Sequence, residues 1–342
     1  MVILRTLLIA TFLPAALAGS SVLLNQSFGG TTAANWTMLG DAQLTAVEGI
    51  DPVGSGWLQI TNNSVNQTGF AYDNTPVPFG YGLDISFSYE THNTWGQAAD
   101  GADGFAFVLF DGSVTPTSAG AYGGSLGYAQ HGAIAGLAGG ILGIGFDEYG
   151  NYANPTEGRQ GGPGFTPDAV SIRGPGDGTA DATAAKGSPN YGFLFTSGSL
   201  PQYLASQDSL NGQRPKGQAS ERNAEIIIDT SQIASGHLPV TVMLSAAGGP
   251  KTVVAQYDAY ADVLAYYGSP GAIPADIKFG FTGSTGSYTD YHEIQNLQID
   301  SLQSVAGYTA VTATPETSPA TSCLIGLGLL VLACRREKGK RS

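Results

Sequence analysis

The amino-acid sequence predicts an all-β fold, an antiparallel sandwich or barrel. Short apolar runs recur along the chain, Gly, Pro, Asn or Asp clusters separate nearly all of them, and no helix-length apolar period alternates with them. Without a βαβ rhythm, parallel-sheet folds are excluded. The clearest run is Leu83–Glu90, where Leu83, Ile85, Phe87 and Tyr89 alternate with polar neighbours, the period of a half-buried strand. Similar strands are expected at Trp57–Thr61, Gly104–Phe110, Ile141–Phe146, Val170–Arg173 and Tyr191–Phe195. The rest are Ala224–Asp229, Val240–Ser245, Thr252–Tyr260, Ile277–Thr282 and His292–Leu302. Only Ala261–Tyr267 or Gln202–Leu210 fits a short helix. No repeat of solenoid or propeller length is visible.

Composition narrows the function. The 342 residues carry a formal charge of −13, with 42% apolar and 12% charged residues, about half the usual charged share. That apolar content excludes a disordered acidic polymer. The 49 glycines follow no Gly-X-Y period, which excludes collagen. No basic block in the body of the chain offers partners for nucleic-acid phosphates. Between Gly19 and Thr317 stand eight basic and 26 acidic residues, a balance suited to hard cations or neutral polymers. The two cysteines, Cys323 and Cys334, lie near the C-terminus, so the body has no disulfide framework and no thiolate metal site.

Both ends read as addresses. Arg5, an apolar stretch and Ala16-Leu17-Ala18 form a signal-peptide pattern over residues 1–18. One sandwich domain is expected over residues 19–310 and a Thr/Pro-rich linker over 311–319. Residues 320–342 form a tail, in which an uncharged run ending at Cys334 precedes Arg335-Arg336-Glu337-Lys338-Gly339-Lys340-Arg341. That run barely reaches the lower length of a membrane span, and its basic flank fits a cytoplasmic stop. With Pro315-Glu316-Thr317-Ser318-Pro319 before it, the tail resembles the PEP-CTERM sorting signals of bacteria, although the second proline is displaced. An ordinary membrane anchor has the same charge pattern. The resemblance implies export to the cell surface or extracellular matrix and a sorting protease of the exosortase type.

Four glycine-rich motifs carry the chemistry. Ala102-Asp103-Gly104 opens an apolar strand, and Gly123-Gly124-Ser125-Leu126-Gly127 follows. Then come Phe146-Asp147-Glu148-Tyr149-Gly150-Asn151 and Gly280-Phe281-Thr282-Gly283-Ser284-Thr285-Gly286, the last leading into His292-Glu293-Ile294. Asp147, Tyr149 and Asn151 are spaced i, i+2, i+4, so extended backbone puts them on one side. A carboxylate, a backbone carbonyl and an amide oxygen are hard donors suited to Ca²⁺, although a solvated Asp-Tyr-Gly-Asn turn fits the segment alone. The EF-hand pattern does not match.

Together the motifs resemble the L-type lectins, the legume-lectin superfamily, whose four landmarks occur in the same order. The resemblance implies a concanavalin A-like jelly roll that binds carbohydrate with calcium. It assigns Asp147 and Asn151 as side-chain calcium ligands and Tyr149 as a main-chain one. A further carboxylate is expected, with Asp168 first and Glu157 and Asn154 behind it. The plant members' transition-metal site needs a Glu where Gly145 stands and a nearby downstream His, whereas the next one here is His237. Calcium alone is therefore expected.

For the sugar, the resemblance implies that Asp103, after a cis Ala102–Asp103 peptide, accepts hydrogen bonds from two vicinal hydroxyls. Gly124 offers a backbone N–H where a side chain would intrude, Asn151 its spare amide protons, and Tyr149 a ring for a pyranose face. The loop Ser287–Asp290, with Ser287 and Tyr288, supplies contacts that choose the sugar. Trp95 is a further stacking or packing candidate, and His292 reads as a structural strand-start residue.

Enzyme readings are weaker. Gly123–Gly127 satisfies G-x-S-x-G, but no helical period follows it. Asp147 and Glu148 are adjacent, so on a strand they face opposite ways rather than flanking one substrate bond. The expected function is glycan or exopolysaccharide binding rather than catalysis. The alternative is a structural or adhesion matrix protein of the same fold without sugar affinity.

Overall fold

A computed structural model describes residues 20–94, 101–305 and 311–312. The leader, Trp95 and the C-terminal tail lie outside the described residues. Among the described residues, no helix is long and apolar enough to cross a membrane.

Two sheets stack face to face. In the first, strands run in the order Thr252–Asp258, Pro239–Ala246, Arg222–Ile228, Leu83–Thr94, Tyr291–Ser301, Val22–Gln26 and Val311–Thr312. Gln207–Ser209 pairs with Leu83–Thr94, while Leu58–Thr61 joins Tyr291–Ser301 to Gln43–Leu44. The second sheet runs Phe193–Ser199, Ala169–Arg173, Gly140–Asp147, Gly104–Asp111, Asp276–Ser284, Thr68–Asp73 and Trp36–Gly40, with Val77–Pro78 beside Asp276–Ser284. Nearly every pairing is antiparallel, as the strand rhythm predicts. The two parallel exceptions are Gln207–Ser209 on Leu83–Thr94 and Val311–Thr312 on Val22–Gln26.

The core lies between the sheets, where Phe105 stacks on Phe146 with centroids 4.5 Å apart and Phe87 meets Phe281 edge-on at 5.0 Å. A second apolar layer covers the outer face of the second sheet. There Phe70, Tyr72, Ala106, Val108 and Phe110 pack against loop residues Leu126, Tyr128, Tyr152 and Tyr191. Two strand glycines make room for this layer. A Cβ at Gly143 would lie 2.3 Å from the Tyr128 ring, and one at Gly145 would lie 2.5 Å from the Tyr152 ring. Covered on both faces, Gly104–Asp111 and Gly140–Asp147 are buried almost throughout.

Several expected elements shift. The helix Tyr260–Tyr267 is present, but the segment after Leu200 forms only the turn Pro201–Leu204 before the short strand Gln207–Ser209. The strand expected at Tyr191–Phe195 starts at Phe193 and runs to Ser199. Val311 and Thr312, expected in the linker, pair with Leu24 and Asn25, so the sheet extends past residue 310.

Candidate functional site

Antiparallel register builds the site at one end of the second sheet. Gly104 pairs with Asp147, which sets Asp103 beside the loop that follows Asp147. The Asp103 carbonyl accepts the amides of Glu148 (3.0 Å) and Tyr149 (3.2 Å), while its own amide donates to the Ser284 carbonyl (3.0 Å). The Ala102–Asp103 peptide is cis. The Gly123–Ser125 turn is held from the same neighbour, since Ser284 Oγ donates to the Gly123 carbonyl at 2.6 Å. All four sequence motifs are thereby joined in one chain of direct hydrogen bonds.

Glycine permits this convergence. A Cβ on Gly124 would lie 2.1 Å from that of Asn151, and one on Gly286 would lie 3.0 Å from Asp103 Oδ2. Gly124 is thus required first by its contact with Asn151, whereas sequence reasoning assigned it to ligand access alone.

Asp147 is fully buried; its Oδ1 accepts the Gly150 amide (2.8 Å) and its Oδ2 the Tyr152 amide (2.7 Å). Burial nevertheless dominates, and the carboxyl is pushed up to about 7. Asp103 is 4% exposed, and its Oδ2 has no hydrogen-bond partner among the described residues. Its carboxyl is held well above the usual range, first by burial and next by the charge of Asp147. The opposing cation is Arg159, whose guanidinium binds Ser125 Oγ (2.9 Å), the Asn154 carbonyl (3.2 Å) and Glu157 (2.8 Å). A second buried cation, Arg173, donates to the carbonyls of Tyr152 (2.8 Å) and Tyr191 (2.8 Å).

The candidates for a fourth calcium ligand separate. Asn154 donates its amide to Asn151 Oδ1 (3.1 Å), and Glu157 is tied to Arg159. Asp168 goes to the other face. Ala169 pairs with Asp147, so Asp168 falls opposite Glu148 and donates its amide to the Glu148 carbonyl (2.9 Å). Its carboxyl is pushed up to about 6, first by burial and then by Glu148. Cross-strand partners share a face, so this register separates Asp168 from Asp147 and corrects the expectation that placed them on one ion.

A wall of rings stands over the loop. Tyr149 stacks on Tyr288 with centroids 5.6 Å apart and meets Phe165 edge-on at 5.3 Å. Tyr288 is 46% and Phe165 56% exposed. Ser287, beside them, is also exposed. Sequence reasoning missed Phe165; the available signal was a single aromatic in the glycine- and proline-rich stretch 161–167. It also passed over Arg159 and Arg173, two of the eight cations between Gly19 and Thr317.

The donor set fits a divalent cation. Asp147 and the loop from it through Asn151 lie against the Asp103 backbone, and buried carboxyls of raised proton affinity are groups that a hard cation stabilises in ionised form. The volume that a Glu at position 145 would need is filled by the Tyr152 ring. Ser125 is fully buried, donates to the Gln130 carbonyl (2.8 Å) and accepts from Arg159, so its hydroxyl does not stand exposed on a nucleophile elbow.

No protein-family model matches the chain, and no curated protein does. Among solved structures, the chain is similar to the basic winged bean lectin with Tn-antigen, at 16% identity and a TM-score of 0.51, covering 82% of this chain and 98% of that one. It is also similar to the metal-free form of lectin I-B4 from Griffonia simplicifolia, at 16% identity and a TM-score of 0.50, covering 81% and 98%. The exoplasmic/lumenal domain of VIP36 in its Ca²⁺/Man-bound form aligns at 14% identity and a TM-score of 0.49, covering 86% and 92%. At these identities the likeness concerns architecture: the protein has the two-sheet antiparallel sandwich fold of the legume lectins.

Proposed function

We propose that the protein is a calcium-dependent carbohydrate-binding protein whose site is the loop cluster around Asp103. The observation that carries the reading is Asp103 itself, a buried carboxyl with an unpartnered oxygen, set against Asp147 and flanked by exposed rings. An ionised carboxylate there accepts from two sugar hydroxyls, and the Tyr149, Tyr288 and Phe165 rings offer apolar surface to a pyranose. Calcium would be held by Asp147, Asn151 and the Tyr149 carbonyl, supplying the positive charge that keeps Asp103 ionised. The basic winged bean lectin that it resembles in fold was seen with Tn-antigen, which supports a glycan as the partner.

The leader and tail read from the sequence support an exported protein held at, or released from, the bacterial surface, with the tail as the substrate of an exosortase-type protease. Single-sugar sites bind weakly, so display in many copies fits this setting.

A glycan array probed with the full-length protein, with calcium and then with a calcium chelator, tests the reading. Signal that requires calcium and disappears in Asp103→Asn supports it. Calcium-independent signal, or none on any glycan, rejects it, and the latter outcome favours the structural matrix protein.

A further inference from the structure

Behind the calcium loop, on the opposite face of the same strand pair, lies a second polar cluster between the sheets. Glu148, Asp290 and His292 are 4%, 0% and 0% exposed, and one ligand atom from each lies within 4.8 Å of the others. Glu148 follows the second-sheet strand Gly140–Asp147, whereas His292 lies on the first-sheet strand Tyr291–Ser301. The cluster therefore bridges the two sheets at the end that carries the site.

The hydrogen bonds place one proton on the imidazole. Thr61 Oγ1 donates its proton to the Asp290 carbonyl (3.1 Å) and faces His292 Nδ1 at 2.5 Å. With that proton spent, the hydroxyl must accept, so Nδ1 carries a hydrogen, and it is Nε2 that is free to bind either a second proton or a metal. This Nε2 points at Glu148 Oε2, 3.2 Å away. That contact needs a cation between the two atoms, a proton on Nε2 or a metal ion. Glu148 Oε1 and Asp290 Oδ2 add two buried oxygens without a hydrogen-bond partner among the described residues. Asp290 is directed at Glu148, whose charge acts on it strongly.

Several acceptors converging on one buried point are served by protons shared between them or by a bound metal ion, and the geometry fits the second. Two ligands on a tetrahedral zinc, bonded at about 2.0–2.1 Å, stand roughly 3.4 Å apart, close to the Nε2–Oε2 separation. Metal-bound histidines characteristically donate their other ring N–H to an oxygen acceptor, the role Thr61 Oγ1 fills here. A mixed imidazole and carboxylate set selects a borderline ion such as Zn²⁺ over calcium.

We propose that Glu148, Asp290 and His292 form an inter-sheet zinc site, distinct from the calcium loop, that ties the Ser287–Asp290 loop to the loop following Asp147. Zinc replaces no side chain and forms no covalent product; it binds Nε2 and the two carboxylates, displacing any proton they share. The site does not depend on sugar binding, so it stands or falls apart from the lectin reading.

The test strips the full-length protein of metal, reloads it with Zn²⁺ in the presence of excess Ca²⁺, and measures bound zinc by mass spectrometry after desalting. About one zinc per chain is expected for the wild type and for Asp147→Asn, and less than a tenth of that for Glu148→Gln and His292→Gln. Zinc should raise the melting temperature of the wild type by several degrees and leave Glu148→Gln unmoved, a readout that needs only a folded variant. Substoichiometric zinc in the wild type overturns the proposal and leaves a protonated His292–Glu148 ion pair in its place. Full zinc occupancy in both folded variants overturns it as well.

Discussion

Two buried carboxylate groups in this molecule meet opposite fates. On the first sheet, Glu293 is 2% exposed, yet it binds Arg214 Nε (2.5 Å), His92 Nε2 (3.1 Å) and the Gln59 amide (3.0 Å). These partners overcome burial and bring its carboxyl down to about 2. Arg214 is in turn braced by Asp51 (2.9 Å) and by the Trp57 ring at 4.5 Å. Around the second sheet, Asp103 and Asp147 are as deeply buried and shift upward, with Arg159 as the cation that opposes both shifts. Burial is common to both groups; counter-charge is not. A protein able to surround Glu293 with donors leaves the Asp103 carboxyl under-served, and that contrast is what supports the proposal of an external cation and ligand there.

Breaking the well-served side has the largest expected effect. Arg214→Ala strands Glu293 and should cost about 3–5 kcal/mol, read as a lower urea midpoint at pH 7 with unchanged slope. The reverse holds at the site. Asp103→Asn removes a charge that the fold stabilises poorly, so it should leave the calcium-free urea midpoint unchanged or higher. The same change should weaken glycan binding at least ~100-fold, about 2.7 kcal/mol, by isothermal titration.

A pH series sharpens the contrast inside the first sheet. Glu90 pairs with Glu293 across the strands, but its carboxyl is pushed up to about 8, chiefly by burial. The folded state therefore keeps a proton that the unfolded state releases near pH 4.5, so wild-type stability from this group falls as pH rises from about 4.5 to 8. Glu90→Gln should flatten that decline in thermal melts, each tenfold difference in proton affinity being worth about 1.4 kcal/mol. The smallest effect is expected from Tyr288→Ala, which removes one face of the ring wall. It should cost about 1 kcal/mol of glycan affinity, a several-fold change, with the melting temperature unmoved.

Much of this was legible in the residues. Alternation found Leu83–Glu90 because that strand has one apolar face, and four ordered motifs brought Asp103, Gly124, Asp147, Tyr149 and Asn151 into one cluster. The strand Thr68–Asp73 was invisible because it is buried on both sides, with Ala71 in the inter-sheet core and Phe70 and Tyr72 under the outer layer. Trp36–Gly40 is a half-buried strand at the end of its sheet, with too little pattern to register. Asp168 was misplaced because spacing along the chain does not reveal register, and one pairing step decides which face a carboxyl joins. His292 was legible as a strand start but not as a member of a buried polar cluster, because its partners Thr61 and Glu148 are more than 100 residues away in sequence.

The long separation between the segments that bond around Asp103 has a consequence for synthesis. The Asp103 amide and the Gly123 carbonyl are satisfied by Ser284, and the Gly123 amide donates to the Thr285 carbonyl. A nascent chain carries its aspartates early but has no finished pocket until this late segment leaves the ribosome. The proposed pocket is thus among the last parts of the molecule to close, and a truncated product lacking that segment leaves the Asp103 amide and the Gly123 carbonyl without the partner that joins them.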